Sequence, residues 1–354
     1  MTPTGAPAGG RARREDGPAT RVAVVIVNTN EGRFLERSLA ALSSQTLQPT
    51  RTIVVDNGST EDRPEGVGQG ARVVEVIPLG VNRGFAAANN IGVRAATGCE
   101  WVALLNPDAF PEPGWLEALM AATTTDPGCA TFASLMLRDD DPAILDGTGD
   151  VYHASGVAWR RGQGRLASES AAARTAGEVF SACAGAALYA RTAFLEAGGF
   201  DEDYFCGYED VDLGFRLRLA GHRCRYVPEA VVRHVGSPTV GLDSDFSIYH
   251  AHRNLVWTYA KGMPWPLVLR YLPHHLVLNA LGVAVFCRRG RGRPILAAKR
   301  DAVRGLPRML RKRRRIQRAR RADARGLLRQ MATGVEAARM IRAVRRGRSS
   351  QPSR

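Results

Sequence analysis

The chain has 354 residues, 45% of them hydrophobic, which is enough for one large α/β domain with appendages or for two domains and excludes a disordered protein. Its net charge of +15 is unevenly held, because residues 288–354 carry 24 Lys/Arg against 3 Asp/Glu while the preceding 287 residues, with 25 basic and 31 acidic side chains, are slightly acidic. The six cysteines show no CxxC or Cys/His spacing, which argues against a structural zinc site or a disulfide framework and reads as reduced, cytoplasmic thiols.

Residues 1–20, rich in Gly, Pro, Ala and Arg and lacking an apolar core, read as a disordered leader and not as a signal peptide. The β-branched run from Arg21 to Val27 predicts a strand buried on both faces, ending at Asn28-Thr29-Asn30. Phe34, Leu35, Leu39 and Leu42 recur at helical spacing, with Asn30 as N-cap, and that helix is over by Gln48-Pro49. Thr52–Asp56 predicts a second strand that stops at Asn57-Gly58-Ser59-Thr60. Arg72–Ile77 predicts a third, Phe85–Ala96 a helix, and Trp101–Leu105 a fourth strand stopped by Asn106-Pro107-Asp108. The alternation predicts a doubly wound sheet.

No GxGxxG follows the first strand, so a dinucleotide site of the Rossmann kind is excluded. Instead the strand ends carry Asn28/Thr29/Asn30, Asp56, Asn82/Arg83 and Asn106/Asp108, which outline a pocket for a polar ligand where open α/β sheets bind theirs. Pro107 stiffens the last turn and holds the oxygens of Asn106 and Asp108 available to a hard cation. A plain strand-to-helix turn with Asp108 as a cap explains the same tripeptide.

Thr131–Leu137 and Gly156–Arg160 read as short strands, Ala167–Ala176 as a mobile small-residue loop, and Val179–Ala190 as a long apolar strand with small residues at its centre. Glu209-Asp210-Val211-Asp212 opens a helix reaching Ala220. Helix electrostatics alone would favour carboxylates there, and a general base is the functional alternative. Cys224–His234 reads as strand ending in histidine, and Phe246–Tyr259 as a helix containing His250, His252, Arg253 and Asn254. Pro264–Cys287 is the most apolar region, but its longest run free of charge and histidine, Leu276–Cys287, is too short to span a bilayer and reads as interfacial or re-entrant. From Arg288 onward come basic amphipathic helices without Phe, Tyr or Trp to stack on bases, which argues against a nucleic-acid partner. An apolar segment followed by a polybasic run fits attachment to an anionic membrane surface, with a solvated tail as the alternative.

Val54–Thr60, Asn82–Asn90, Leu105–Asp108 and Gly207–Leu213 with Arg216, in that order, resemble the family 2 glycosyltransferases of the GT-A fold, nearest to the bacterial rhamnosyltransferase-like branch, over about Val22 to His234. The resemblance implies an α/β fold with a GT-A-type doubly wound, mostly parallel sheet flanked by helices, to which the composition of the tail adds a C-terminal helical, membrane-associating basic extension. The nucleotide-sugar-binding part would be residues 21–130, the acceptor and catalytic part 131–245, an apolar helical segment 246–287 and the basic tail 288–354. Asp56 would accept the imide N–H of a uracil or thymine base, Asn28, Thr29 and Asn30 would line base and ribose, and Arg83 would sit by the diphosphate. Gly84 would allow a close approach to the ligand. Asn106-Pro107-Asp108 takes the place of a DxD motif. Asp108 and His234 would hold Mg²⁺ or Mn²⁺, and His250, His252, Arg253 and Asn254 would lie near the diphosphate. Asp210 would be the general base, with Glu209 in reserve.

The implied activity is inverting transfer of L-rhamnose from dTDP-L-rhamnose to a lipid-linked glycan acceptor, by a peripheral protein on the cytoplasmic face of the membrane. A non-catalytic membrane or nucleic-acid scaffold with a decayed transferase domain, and a nucleotidyltransferase, are the competing readings.

Overall fold

Val22–Asn28 forms β1 with every residue buried, as an unbroken apolar run must be when helices cover both faces of a sheet. The computed structural model describes residues 21–61, 74–236 and 244–334, so the leader 1–20, the first two residues of the expected third strand, and the tail beyond 334 lie outside the described residues. After β1 come α1 (Gly32–Ser43), β2 (Arg51–Asp56), β3 (Val74–Pro78), α2 (Phe85–Ala95), β4 (Trp101–Leu105), β5 (Ala109–Pro111) and α3 (Trp115–Thr125). The middle of the chain supplies β6 (Cys129–Arg138), β7 (Leu145–Gly147), β8 (Asp150–Tyr152), β9 (Ala158–Arg160), α4 (Ala171–Arg174), β10 (Gly177–Glu178), β11 (Ala186–Ala190), α5 (Arg191–Glu196), α6 (Glu209–Leu219) and β12 (Arg223–His234). Four helices follow: α7 (Asp245–Gly262), α8 (Trp265–Arg288), α9 (Gly292–Arg318) and α10 (Ala324–Arg329).

The central sheet runs β10-β12-β6-β11-β4-β1-β2-β3. β3, β2, β1 and β4 are mutually parallel, β11 is antiparallel to both β4 and β6, and β12 lies parallel to β6. Segments 21–130 and 131–245 therefore contribute strands to one sheet. One face packs Val25, Val93, Phe194, Phe200 and Leu213, and the other Ile26, Leu35, Trp115, Leu119 and Phe132.

Two local expectations need correction. Asn30 is not the N-cap of α1, a place taken by Glu31. Asn30 sits at φ 54°, in the left-handed region that Asn tolerates, and its Oδ1 accepts from Thr60 N and Glu61 N, so it fastens the loop after β2. The apolar stretch 179–190 is a strand only from Ala186. In residues 179–185 three carbonyls go to side chains in place of a strand ladder: Arg218 donates to Phe180 O at 2.6 Å and to Val179 O, and Tyr189 to Ala182 O at 3.2 Å.

The C-terminal helices are tied to α6 by a buried charge network. Lys261 of α7, 1% exposed, pairs with Asp201 and, at 2.8 Å, with Asp212 of α6; Lys312 of α9 joins Asp201 and, at 2.7 Å, Asp203. Burial would raise the Asp201 carboxyl, but the two lysines outweigh it and hold it well below the ordinary range. Replacing Lys261 with Met is expected to cost about 3–5 kcal/mol, because two buried carboxylates lose a shared partner. Urea unfolding reads this directly, and a loss under 1 kcal/mol would mean that Lys312 and Arg216 suffice.

Candidate active site

The parallel register brings the polar strand ends to one edge. Asn28 lies opposite Asp56, and β4 delivers Asn106 and Asp108 alongside. Behind this edge the loops hold one another. Asn28 Nδ2 and Asn30 N both donate to Ser59 Oγ (3.2 and 3.0 Å), Asn57 Nδ2 donates to Thr29 Oγ1 (3.3 Å), and Asn57 Oδ1 accepts from Arg83 N (2.8 Å). Asp56 is buried and spends Oδ1 on Ser59 N at 3.2 Å, so the local turn engages one oxygen of its carboxylate. The Arg83 side chain is exposed and makes no ion pair among the described residues.

Gly84 has φ 85°, and a Cβ there would lie 2.6 Å from the Phe205 ring. The close approach that the sequence reading gave to a ligand is thus, in this structure, an approach of the Phe205 loop, whose carbonyl also accepts from Ala86 N at 3.1 Å. The Asn82–Gly84 turn and the loop leading into α6 are packed together at this point. The Phe205–Tyr208 turn holds Phe205 at φ 63° and Tyr208 at φ 68°, and Asn254 Nδ2 secures it through Tyr204 O, Cys206 O and Gly207 O at 2.7–3.1 Å. Asn254 and Arg253 accordingly grip the Asp203–Gly207 backbone, and His250 stacks on Phe205.

β12 lies antiparallel to β5, with His234 opposite Ala109 and so beside Asp108. Nε2 of His234 is 3.3 Å from Asp108 Oδ1, outside hydrogen-bond alignment, and its Nδ1 is 2.8 Å from Asp146 Oδ2. Asp146 also pairs with Arg160. Burial disfavours the charged form of His234, but its two carboxylate partners outweigh that and raise it to about 9. Burial likewise opposes ionisation of Asp146, and Arg160 foremost reverses this and brings it down to about 2. Among the described residues Asn106 Oδ1 is buried without a hydrogen bond. A carboxylate, a buried imidazole nitrogen and an amide oxygen without a donor make a set that suits a divalent cation. No group of three or more His, Cys, Asp and Glu side chains among the described residues forms a complete cage, so the remaining ligands would come from substrate and water.

Glu209 and Asp210 open α6, Asp150 of β8 interacts with Asp210, and the surroundings of the three carboxyls separate them. Burial raises Glu209 well above its usual range, repulsion from Asp210 adds to this, and its Oε2 has no partner among the described residues. Asp150 of β8 is pushed up to about 8, first by burial and then by Asp210, with Ser181 Oγ donating to it at 2.9 Å. Burial also raises Asp210, but the backbone N–H groups of Ala184 (3.2 Å) and Val211 (2.8 Å) pull the other way. The backbone N–H groups of Ala184 and Val211 thus favour the ionised form of Asp210 against the effect of burial. Ala184 precedes Gly185, whose carbonyl accepts from Asn106 N at 2.9 Å, so the start of α6 is linked to the Asn106–Asp108 turn. Sequence reading missed Asp146, Asp150 and Arg160, which lie in a stretch without periodicity. The one available signal was two carboxylates that flank Gly147-Thr148-Gly149 between apolar Leu145 and Val151-Tyr152.

A mixed sheet with a polar ligand edge, a turn suited to a cation and an adjoining cluster of buried carboxyls is the architecture of a GT-A-type glycosyltransferase. Residues 23–197 match the glycosyl transferase family 2. The N-acetylglucosaminyl-diphospho-decaprenol L-rhamnosyltransferase of Mycobacterium tuberculosis is 33% identical over 256 residues, 65% of this chain and 81% of that relative. The pre-mycofactocin glycosyltransferase of the same organism is 34% identical over 224 residues, 63% of this chain and 44% of that one. Among solved structures, GalNAc-T7 with UDP, GalNAc and Mn²⁺ aligns at TM-score 0.57 and 17% identity over 71% of this chain and 51% of its own, and S. aureus TarS at 0.51 and 16% over 88% and 55%; both likenesses concern the fold. The chain belongs to glycosyltransferase family 2 and is a glycosyltransferase.

Proposed function

We propose that this enzyme is an inverting, divalent-metal-dependent transferase that moves L-rhamnose from dTDP-L-rhamnose to a lipid-linked saccharide in cell-wall or surface-polysaccharide assembly. The observation that carries the chemistry is the linking of Asp210 to the Asn106–Asp108 turn through Ala184 and Gly185. The rhamnosyl donor and the polyprenyl-linked acceptor are supported by the name of the relative that this chain covers over 81% of its length.

In this reading Asp56 and Asn28 hold the base and ribose, and the turn Asn82–Gly84 borders the diphosphate. Asp210 takes the proton of the acceptor hydroxyl as its oxygen bonds to the anomeric carbon from the face opposite the leaving nucleoside diphosphate. Asp108 and His234, with Asn106 beside them, would hold Mg²⁺ or Mn²⁺, which when bound neutralises charge on the departing diphosphate.

Transfer of label from dTDP-rhamnose, UDP-galactofuranose, UDP-GlcNAc or GDP-mannose into lipid extract tests the whole reading. Transfer from dTDP-rhamnose alone, abolished by EDTA and restored by Mn²⁺, is expected. Transfer from a different donor, or turnover indifferent to EDTA, would overturn the donor or the metal assignment respectively.

We also place the enzyme at the cytoplasmic membrane surface, bound peripherally through α8. By length and composition α8 could cross a membrane, and only 11% of its most apolar window is buried. It presents Trp265, Leu269, Leu276, Val277 and Leu281 to solvent, with Leu269 75% exposed, and the arginines of α9 adjoin it. An apolar stripe beside a cationic helix is complementary to an anionic bilayer. Co-sedimentation with phosphatidylglycerol vesicles, weak on phosphatidylcholine and lost in Leu269→Asp/Leu276→Asp, is expected. Binding unaltered by the double substitution would reject α8 as the contact.

A further inference from the structure

We propose that Asp146 is the positioning residue of the cation site, orienting His234 so that its Nε2, and not its Nδ1, is presented beside Asp108. The proposal rests on the reading of Asp108 and His234 as cation ligands. It concerns a residue outside the four motifs that mark the family resemblance.

Asp146 lies on β7, a three-residue strand laid antiparallel on the end of β6, and is buried. Its Oδ2 meets His234 Nδ1 at 2.8 Å and pairs with Arg160 as well. The neighbouring glycine makes this second contact possible. A Cβ at Gly147 would stand 3.0 Å from the Arg160 Cβ and 3.1 Å from its Cδ, so the Arg160 chain runs over the bare backbone of β7 to reach Asp146. A carboxylate paired with arginine stays ionised and can only accept, so Nδ1 of His234 carries the hydrogen. Nε2, 3.3 Å from Asp108 Oδ1, is then the nitrogen whose proton a cation would displace on binding, freeing its lone pair for the metal. Histidine ligands of metals characteristically donate their second N–H to a carboxylate in this way, which fixes ring orientation and raises ligand basicity. The competing explanation is that Asp146 serves only as counter-ion to Arg160.

Mn²⁺ titration of the full chain at saturating dTDP, with free Mn²⁺ followed by EPR, separates the two. Asp146→Ala is expected to bind Mn²⁺ about 10- to 100-fold more weakly. Asp146→Asn, whose amide oxygen still accepts from Nδ1, is expected to recover most of that loss. Pulsed EPR should show an imidazole nitrogen coupled to Mn²⁺ in the unsubstituted protein and in Asp146→Asn, and no such coupling in His234→Ala. Should Asp146→Ala fail to fold, ¹⁵N-histidine NMR of the unsubstituted protein with Mg²⁺ reads the tautomer directly, and an Nε2–H imidazole would overturn the proposal. Wild-type affinity and nitrogen coupling in folded Asp146→Ala would overturn it too. If His234→Ala leaves Mn²⁺ binding unchanged while Asp108→Asn weakens it, this inference and the ligand role of His234 fail while metal binding at Asp108 stands; if the unsubstituted protein binds no Mn²⁺, the whole metal reading fails with them.

Discussion

Asp210→Asn is expected to lower sugar transfer by about 10²- to 10⁴-fold, the usual worth of a positioned general base, with the donor KM little changed. The amide oxygen can still receive Ala184 N–H and so keep the link to Asn106, while its NH2 cannot accept from Val211 N–H, so one helix-start hydrogen bond is lost along with proton acceptance. Glu209→Gln and Asp150→Asn are the informative comparisons. Burial and repulsion favour the neutral form of both carboxyls, and a neutral amide resembles what it replaces at pH 7. Each is expected to retain activity within about tenfold, well short of a general-base loss.

The pH profile carries a sign. Asp210 must be ionised to act, and burial raises it above the ordinary aspartate value, so kcat/KM should fall as pH drops through a limb lying above the usual aspartate range. Asp210→Asn should abolish that limb. If Glu209→Gln is the variant that silences the enzyme while Asp210→Asn keeps a tenth or more of the rate, the base assignment belongs to Glu209.

Asp108→Asn is expected to be the second severe loss, about 10²- to 10³-fold, because Lewis-acid stabilisation of a leaving group is worth several kcal/mol and every 1.36 kcal/mol is tenfold. Asn preserves an acceptor for Gly236 N, which now bonds Asp108 Oδ2 at 3.2 Å, so the backbone at the end of β12 should hold. The charge that attracts a cation is what disappears. Mn²⁺ affinity should drop in parallel, and raising Mn²⁺ should restore part of the rate. Full activity with unchanged Mn²⁺ affinity would remove Asp108 from the metal site.

Much of this protein was determined by short-range pattern. Unbroken β-branched runs at 22–27 and 52–55, separated by helical spacing, can be buried only in a helix-covered sheet, and the polar residues that stop each run therefore gather at one edge. The split between a slightly acidic body and a basic end is legible by composition alone. What is local in sequence and local in space needs no tertiary information.

Tertiary packing decided the rest. Glu209 and Asp210 are adjacent in sequence and chemically alike, yet two backbone N–H groups reach Asp210 while Glu209 Oε2 is left without a partner, which is a matter of where the 179–185 loop passes. Asp146 becomes relevant to His234, 88 residues away, only because β7 and β12 both lie on β6. Gly84 and Asn30 show the same limit, since the room left by one is filled by Phe205 and the side chain of the other fastens Thr60. Burial and electrostatic environment depend on contacts between distant segments, and the spacing of residues along a chain does not encode them.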